Sequence, residues 1–328
     1  MTIIEETGNS VGVRIPRIED ARLLTGAGIF VDDITRPGML HACFVRSPYA
    51  RARILDVDIS EALAIAGVTA IYLAADLNSD VHEFRYTAER VADRLIRVPL
   101  AEGEVRFVGD PVALIIAADR YVAEDAAERV LIEYEPLTPV VDYETSYENT
   151  ELVHSYAPCN LAGELSGRPL SELEPLFDSA AHVVEQTVHQ QAHMPMPMET
   201  RGVVAEWSAA AGDMTVWTST QAPHEVRLVC ARVLGIDEHH VRVIVRDTGG
   251  GFGQKVVPQR EEICIMLAAR KAGATLKWIE DRQEHLMSAG MARQEHGTGR
   301  FAFDADGTLL AADLEYVQNV GATRSHLR

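Results

Sequence analysis

Apolar positions fall in short runs along the chain, spaced sometimes by two and sometimes by three or four. Met39–Arg46 and Ala52–Asp58 alternate or run apolar around Ser47-Pro48, which predicts two strands joined by a turn. Ser60 can cap a short helix through Ala66, with Gly67 as a left-handed stop, and Val68–Tyr72 then predicts a strand. Val105–Ala117, rich in Val and Ile and broken by Gly109-Asp110-Pro111, predicts two strands and a turn. Ala123, Ala126, Ala127 and Val130 share one helical face, and a strand over Val130–Tyr134 follows.

Residues 142–170 turn polar, rich in Glu, Ser and Pro, and read as a linker. Ser171 and Glu174 make a capping box for a short helix burying Leu173, Leu176 and Phe177. Strand patterns restart at Val183–His189, Gly202–Trp207 and Met214–Thr218; a helix is expected over Pro223–Leu234 and a strand over Val241–Val245. Another helix over Gln259–Ala272 ends at Gly273, Leu276–Ile279 is a strand, and Phe301–Val320 forms a hairpin around Asp306-Gly307. Strands and helices in this order give an α+β or α/β first domain (23–141), and order alone does not choose between the two. The chain as a whole is expected to be α+β, with an extended arm (1–22) before that domain and a linker and short helix (142–180) leading to a second α+β domain (181–328).

Length supports more than one domain, and 47% hydrophobic residues suit sizeable cores. A net charge of −19 without a Lys/Arg-rich stretch argues against a nucleic-acid partner. Cys43, Cys159, Cys230 and Cys264 are far apart and form no metal-ligand spacing, so reduced thiols in a cytoplasmic protein are expected, with neither an iron–sulfur cluster nor a structural zinc in this chain. The acidic start is no secretory signal, and no apolar run approaches membrane-spanning length.

The glycines of Gly249-Gly250-Gly251-Phe252-Gly253, between a strand and a helix, would let backbone N–H groups approach a ligand near a helix start that favours negative charge. A tight turn with close strand–helix packing explains the same residues. The pattern is neither G-x-G-x-x-G nor a P-loop, which weakens a nucleotide-binding reading. Phe252 is either a structural wedge or the wall of a pocket. Gln221, ending Thr218-Ser219-Thr220-Gln221, offers an amide donor and acceptor at a strand's end, or simply caps the next helix. His189 and His193 are four apart but sit in a strand and loop, a poor metal motif; His239-His240 reads as a solvated turn and Met194–Glu199 as loop packing.

Several segments resemble one family. Arg17-Ile18-Glu19-Asp20-Ala21-Arg22-Leu23-Leu24-Thr25-Gly26, Phe30-Val31-Asp32-Asp33 and Val45-Arg46-Ser47-Pro48-Tyr49-Ala50 resemble the opening of bacterial molybdenum hydroxylase large subunits, the xanthine dehydrogenase/aldehyde oxidase/carbon monoxide dehydrogenase superfamily. Val108-Gly109-Asp110-Pro111-Val112-Ala113 and Ala123-Glu124-Asp125-Ala126-Ala127 resemble its hammerhead-like domain. Met198-Glu199-Thr200-Arg201-Gly202, Ser219-Thr220-Gln221, Gly249–Gly253 and Trp278-Ile279-Glu280-Asp281-Arg282 resemble its first molybdopterin-binding domain, incomplete here. The resemblance covers nearly the whole chain, with its motifs in order.

The resemblance implies a molybdenum–molybdopterin cofactor, in bacteria often the cytosine dinucleotide form, and an oxidoreductase acting on an aldehyde, N-heterocycle or CO-like small substrate with water as oxygen source. Electrons would leave through iron–sulfur clusters to FAD, on an iron–sulfur subunit and an FAD subunit. Gln221 would hydrogen-bond an oxo ligand of molybdenum, and Gly250, Gly251, Phe252 and Gly253 would line the cofactor; no residue of this chain would ligate the metal directly. Purine-oxidising members often carry Glu after the loop's Lys, whereas Val256 follows Lys255 here. The general-base Glu and the remaining pterin contacts lie in family sequence beyond this stretch, so no catalytic residue is identified, and a chain carrying the C-terminal half is an expected partner. The alternative is a non-catalytic scaffold that packs against partner subunits.

Overall fold

A computed structural model of the protein describes residues 11–12, 14–82 and 98–322, so residues 1–10 and 13 of the expected arm and residues 323–328 of the expected second domain lie outside it. In chain order the strands are β1 (Leu40–Arg46), β2 (Ala52–Asp58), β3 (Val68–Tyr72), β4 (Glu104–Val105), β5 (Pro111–Ala117), β6 (Leu131–Pro136), β7 (His182–His193), β8 (Gly202–Ser208), β9 (Asp213–Thr218), β10 (Val241–Ile244), β11 (Leu276–Ile279), β12 (Ala292–Phe303) and β13 (Leu309–Gln318). The helices are α1 (Asp20–Leu24), α2 (Ser60–Leu63), α3 (Ala74–Leu77), α4 (Arg120–Ala127), α5 (Leu170–Ser179), α6 (Pro223–Leu234), α7 (Arg260–Ala272) and α8 (Arg282–Ser288). The α+β class is as the sequence indicates.

Among the described residues the largest sheet has seven strands in the order β10-β9-β8-β11-β1-β5-β3. It draws β1, β3 and β5 from before the polar segment 142–170 and the other four from after it. The join is a parallel pairing of β1 with β11, in register at Leu40↔Leu276 and His41↔Lys277. Period-two alternation then gives the sheet two cores. Leu114 and Ile116 of β5 face α6 and α7 with Phe44 and Trp278, while Ala113, Ile115 and Ala117 face α2 and α4. Buried on both faces, β5 is correspondingly apolar throughout, as covered strands are.

Two smaller sheets lie among the described residues: β4-β2-β6, and β13-β12-β7. Helix α5 covers one face of the latter, laying Phe177 on Ala302 and Ala311. On the opposite face Val184, Val188, Leu314 and Tyr316 are exposed. Segment 142–169 contains no more than the 3-10 turn Ser146–Glu148 and a single bridge residue, Gly163, and is held by side chains: Ser155 Oγ donates to Glu104 Oε2 (2.9 Å), and Asn160 Nδ2 donates to the carbonyls of Ser146 and Glu151 (2.8 and 2.7 Å).

Several local expectations need correction. Ser60 does not cap α2: it is the first helical residue, its hydroxyl donates to Asp58, and the helix stops at Leu63. Helix α5 begins at Leu170 behind Pro169, which has no side chain that could cap it, so Ser171 lies inside the helix; Glu174 pairs instead with Arg300 (2.9 Å), and Leu176 stays exposed. Strand β12 begins at Ala292 rather than Phe301, since β7 pairs with it along its whole length. Helix α7 starts seven residues beyond Gly253, and its own Glu261 and Glu262 occupy its first turn, so its N-terminus is not available to a ligand at the glycine loop.

Candidate functional site

The site is built where β9 ends, with Gln221 just beyond it, and where the chain leaves β10 for the glycine loop. Gly250 adopts φ +101° and Gly253 φ +91°, conformations that a side chain resists, and Phe252 adopts φ +52°. Holding a bulky residue left-handed is a strained arrangement of the kind found at ligand-binding loops. It turns the ring outward: Phe252 is 72% exposed. Gly251 is a true close approach, because a Cβ there would lie 2.3 Å from Gln221 Oε1.

The structure thus brings Gln221 and the glycine loop together. Gln221 Oε1 accepts from the backbone N–H of Gly253 (3.0 Å) and of Lys255 (3.3 Å), while Gln221 N donates to Lys255 O (2.9 Å). Two N–H donors on the oxygen fix which way the amide faces, leaving the Nε2 donors free and Gln221 exposed. The side chain does not cap α6, whose N-cap is Ala222 without a side-chain bond.

Behind the loop lie groups to which the sequence assigned no role, although Glu199, Ser219 and Arg201 stand in the segments that carry the resemblance. Glu199 Oε2 accepts from Gly249 N (2.7 Å), from Ser219 Oγ and from Lys255 Nζ (3.2 Å), and Glu199 Oε1 accepts from Val31 N (3.4 Å). Burial pushes the Lys255 ammonium down, and Glu199 opposes that shift. Asp247, at the loop's entry, accepts a two-pronged bond from Arg22 and one from Ile29 N (2.8 Å), and Arg22 holds its carboxyl at about 2. Deeper still, Arg201 reaches Glu261 (2.9 Å) and Glu280, Glu261 reaches Arg46 (3.0 Å), and Arg46 reaches Glu284 (2.9 Å). Burial works against the Arg201 charge, but Glu261 and Glu280 outweigh it and hold its pKa well up. Arg46, Arg201 and Glu280 stand at the ends of apolar strands, where an unpaired charge could not stay, and that was their visible signal; Glu261 and Glu284 lie in helices and carried none.

The other candidates fall elsewhere. His189 and His193 lie on β7; His189 stacks on His296 with ring centroids 5.5 Å apart. Among the described residues no group of three or more His, Cys, Asp or Glu is arranged to hold a metal ion. His240 pairs with Asp213 (2.7 Å) on a 3-10 turn. Met194–Glu199 is held by its carbonyls rather than packed by its methionines: Arg282 donates to Pro197 O (2.6 Å) and Met198 O (3.1 Å), while Met198 is exposed. This run lies along the loop, since a Cβ on Gly250 would meet Pro197 Cβ at 3.3 Å. Cys43, Cys159, Cys230 and Cys264 are all free. No helix among the described residues is long and apolar enough to cross a membrane.

Comparison with known proteins gives a consistent result. Residues 25–138 match the a/b hammerhead domain of aldehyde oxidase and xanthine dehydrogenase, and residues 153–327 match the molybdopterin cofactor-binding domain. The chain is 38% identical over 319 residues to the nicotine 6-hydroxylase large subunit of Paenarthrobacter nicotinovorans, covering 96% of this chain and 39% of that one. It is 36% identical over 324 residues to the carbon monoxide dehydrogenase large chain of Hydrogenophaga pseudoflava, covering 93% and 39%. Among solved structures, quinoline 2-oxidoreductase from Pseudomonas putida 86 superposes with a TM-score of 0.80 at 37% identity, over 94% of this chain and 39% of that one. The chain therefore spans about two fifths of the length of the relatives it matches.

Proposed function

The chain belongs to the family of molybdopterin-binding large subunits of molybdenum hydroxylases, and we propose that it forms one wall of a molybdenum-cofactor site in an oxidoreductase. The carrying observation is Gln221: its oxygen is consumed by Gly253 and Lys255, so its amide donor faces outward beside a loop whose glycines keep side chains away. A large cofactor bearing oxo groups fits that arrangement, because it needs an oriented donor and close backbone approach. Gln221 would donate to an oxo ligand, Gly250, Gly251 and Gly253 would let the backbone come close, and the exposed Phe252 ring would cover an apolar part. The cofactor, in our reading the cytosine dinucleotide form, would supply the redox chemistry; the protein's part is to bind, orient and exclude water.

The substrate we propose is an N-heterocycle, aldehyde or CO-like small molecule, with water as the oxygen source. Two of the relatives above are named for N-heterocycles, nicotine and quinoline. Partners are proposed to supply the rest: a chain carrying the remaining large-subunit sequence, an iron–sulfur subunit and an FAD subunit, in the cytoplasm. The uncovered β7-β12-β13 face supports the first of these. Beside it lies a cleft of about 960 Å³, lined among others by Tyr147, Leu161, Leu165, Leu314 and Tyr316. Exposed apolar side chains gathered on one face favour association.

Molybdenum analysis tests the proposal. The 328-residue chain alone is expected to hold none, and the chain assembled with the remaining large-subunit sequence is expected to hold it. In that assembly Gln221→Ala should keep most of the molybdenum but slow turnover roughly tenfold to a hundredfold, as for a lost hydrogen bond of about 1–3 kcal/mol. A metal-free assembly would favour a packing scaffold instead.

A further inference from the structure

We infer that Lys255 and Glu199 are positioning residues, a buried brace that grips both ends of the glycine loop and sets the face it offers to a ligand. The inference rests on the functional reading above for what that ligand is, but not for the brace itself. Gly249 and Lys255 bound the loop, and both close onto Glu199. At the first end Gly249 N donates to Glu199 Oε2 (2.7 Å) and Glu199 N donates to Gly249 O (3.2 Å). A Cβ on Gly249 would stand 2.5 Å from Glu199 Cβ, so the two backbones touch there. At the other end Lys255 Nζ donates to Glu199 O (2.7 Å), Glu199 Oε2 (3.2 Å) and Ser219 Oγ (2.6 Å).

Those three bonds use every donor of the ammonium, which is therefore saturated by the protein and has no capacity left for a ligand. Its side chain is 1% exposed. Lys255 is also where the loop meets Gln221: its N–H supplies the second donor to Gln221 Oε1, and its carbonyl accepts from Gln221 N and from Thr220 Oγ1 (2.8 Å). The amide orientation of Gln221 is thus set by a residue whose own place is set by Glu199 and Ser219. Charge at this depth is costly, since burial pushes the Lys255 ammonium down, so an apolar pair in place of both Lys255 and Glu199 would hold the fold as well. The pair does something an apolar pair cannot: it is directional at both ends of a loop of small residues.

The experiment separates a brace from a merely satisfied ion pair. Lys255→Met alone leaves the half-buried Glu199 carboxylate without its counter-ion and should lower the melting temperature. Adding Glu199→Gln removes that stranded charge while keeping an acceptor for Gly249, and should restore most of it. Amide hydrogen exchange is then followed on the full 328-residue chain. The double variant should exchange at 249–255 at least about tenfold faster than the parent, with 263–269 in α7 unchanged. In the assembled protein its molybdenum content should fall although its melting temperature has recovered. Parent-like exchange at 249–255 overturns the brace. Should the double variant fail to fold, Ser219→Ala strips one of the three Lys255 partners without touching a charge. It should raise loop exchange about threefold, and no rise overturns the brace equally. The exchange measurement needs no cofactor. A parent assembly devoid of molybdenum would therefore refute the functional reading and leave the brace standing.

Discussion

Glu262, in the first turn of α7, accepts from Gln259 N (2.5 Å) and stands among Arg201, Glu261 and Glu280. Burial pushes it up to about 7 from an ordinary 4.5; Arg201 pulls it back, and Glu261 adds to the rise. With the folded value above the unfolded one, the folded protein binds the extra proton between roughly pH 4.5 and 7. Stability from this group is therefore present below pH 4.5 and is lost as pH rises through about 7. Glu262→Gln keeps the cap and cannot ionise. It should match the parent in thermal melts near pH 4.5 and exceed it by on the order of 2–3 kcal/mol at pH 8. A constant difference at all pH values would refute the assignment. Glu261 moves the opposite way: burial would raise it, but Arg201 and Arg46 outweigh that and hold it low. Two adjacent glutamates with opposite behaviour could not have been separated from the sequence, because the arginines that hold Glu261 low, Arg46 and Arg201, come from distant parts of the chain. Gln221 was visible at its strand end, but its use was not, because the partner N–H groups come from a loop more than thirty residues away.

Elements with a single strong period were legible in the sequence. Val68–Tyr72, Pro223–Leu234 and Leu276–Ile279 match it end to end, and Gly273 and Gly235 stop their helices in left-handed conformations. Strand β7 was half missed, because pairing with β12 rather than its own pattern sets its length. The glycine loop is the element whose sequence says most. Gly249→Ala would drive a methyl group into Glu199 Cβ, a neighbour that cannot swing aside, and should cost about 1–3 kcal/mol in urea melts. Gly290→Ala, with nothing within 4 Å and no positive φ, should stay within about 0.5 kcal/mol of the parent. Equal effects at the two positions would show that the Glu199 contact is not tight.

For the molecule as a whole, the polar stretch 142–169 marks where protease should cut first, since it lacks a sheet or long helix and much of it is exposed. We expect the cut chain to stay together. The β1–β11 pairing and the buried chain Arg46–Glu261–Arg201–Glu280 both cross from one side of the cut to the other. Size-exclusion chromatography in native buffer should return one particle of parental size, and denaturing gels two fragments; separation in native buffer would show that the two parts are independent. Composition revealed the stretch but could not reveal the shared sheet, because strand pairing at such range leaves no local periodicity.

That same pairing has a consequence for synthesis. Strand β1 leaves the ribosome more than two hundred residues ahead of β11, the neighbour that closes its second side. Until Leu276–Ile279 has emerged, a nascent chain carries β1 paired with β5 alone, its other edge bare and able to capture a strand from a neighbouring nascent chain. Completion of the seven-stranded sheet is therefore a late event of translation, and slow elongation through residues 142–275 lengthens the interval in which a chaperone must shield that edge.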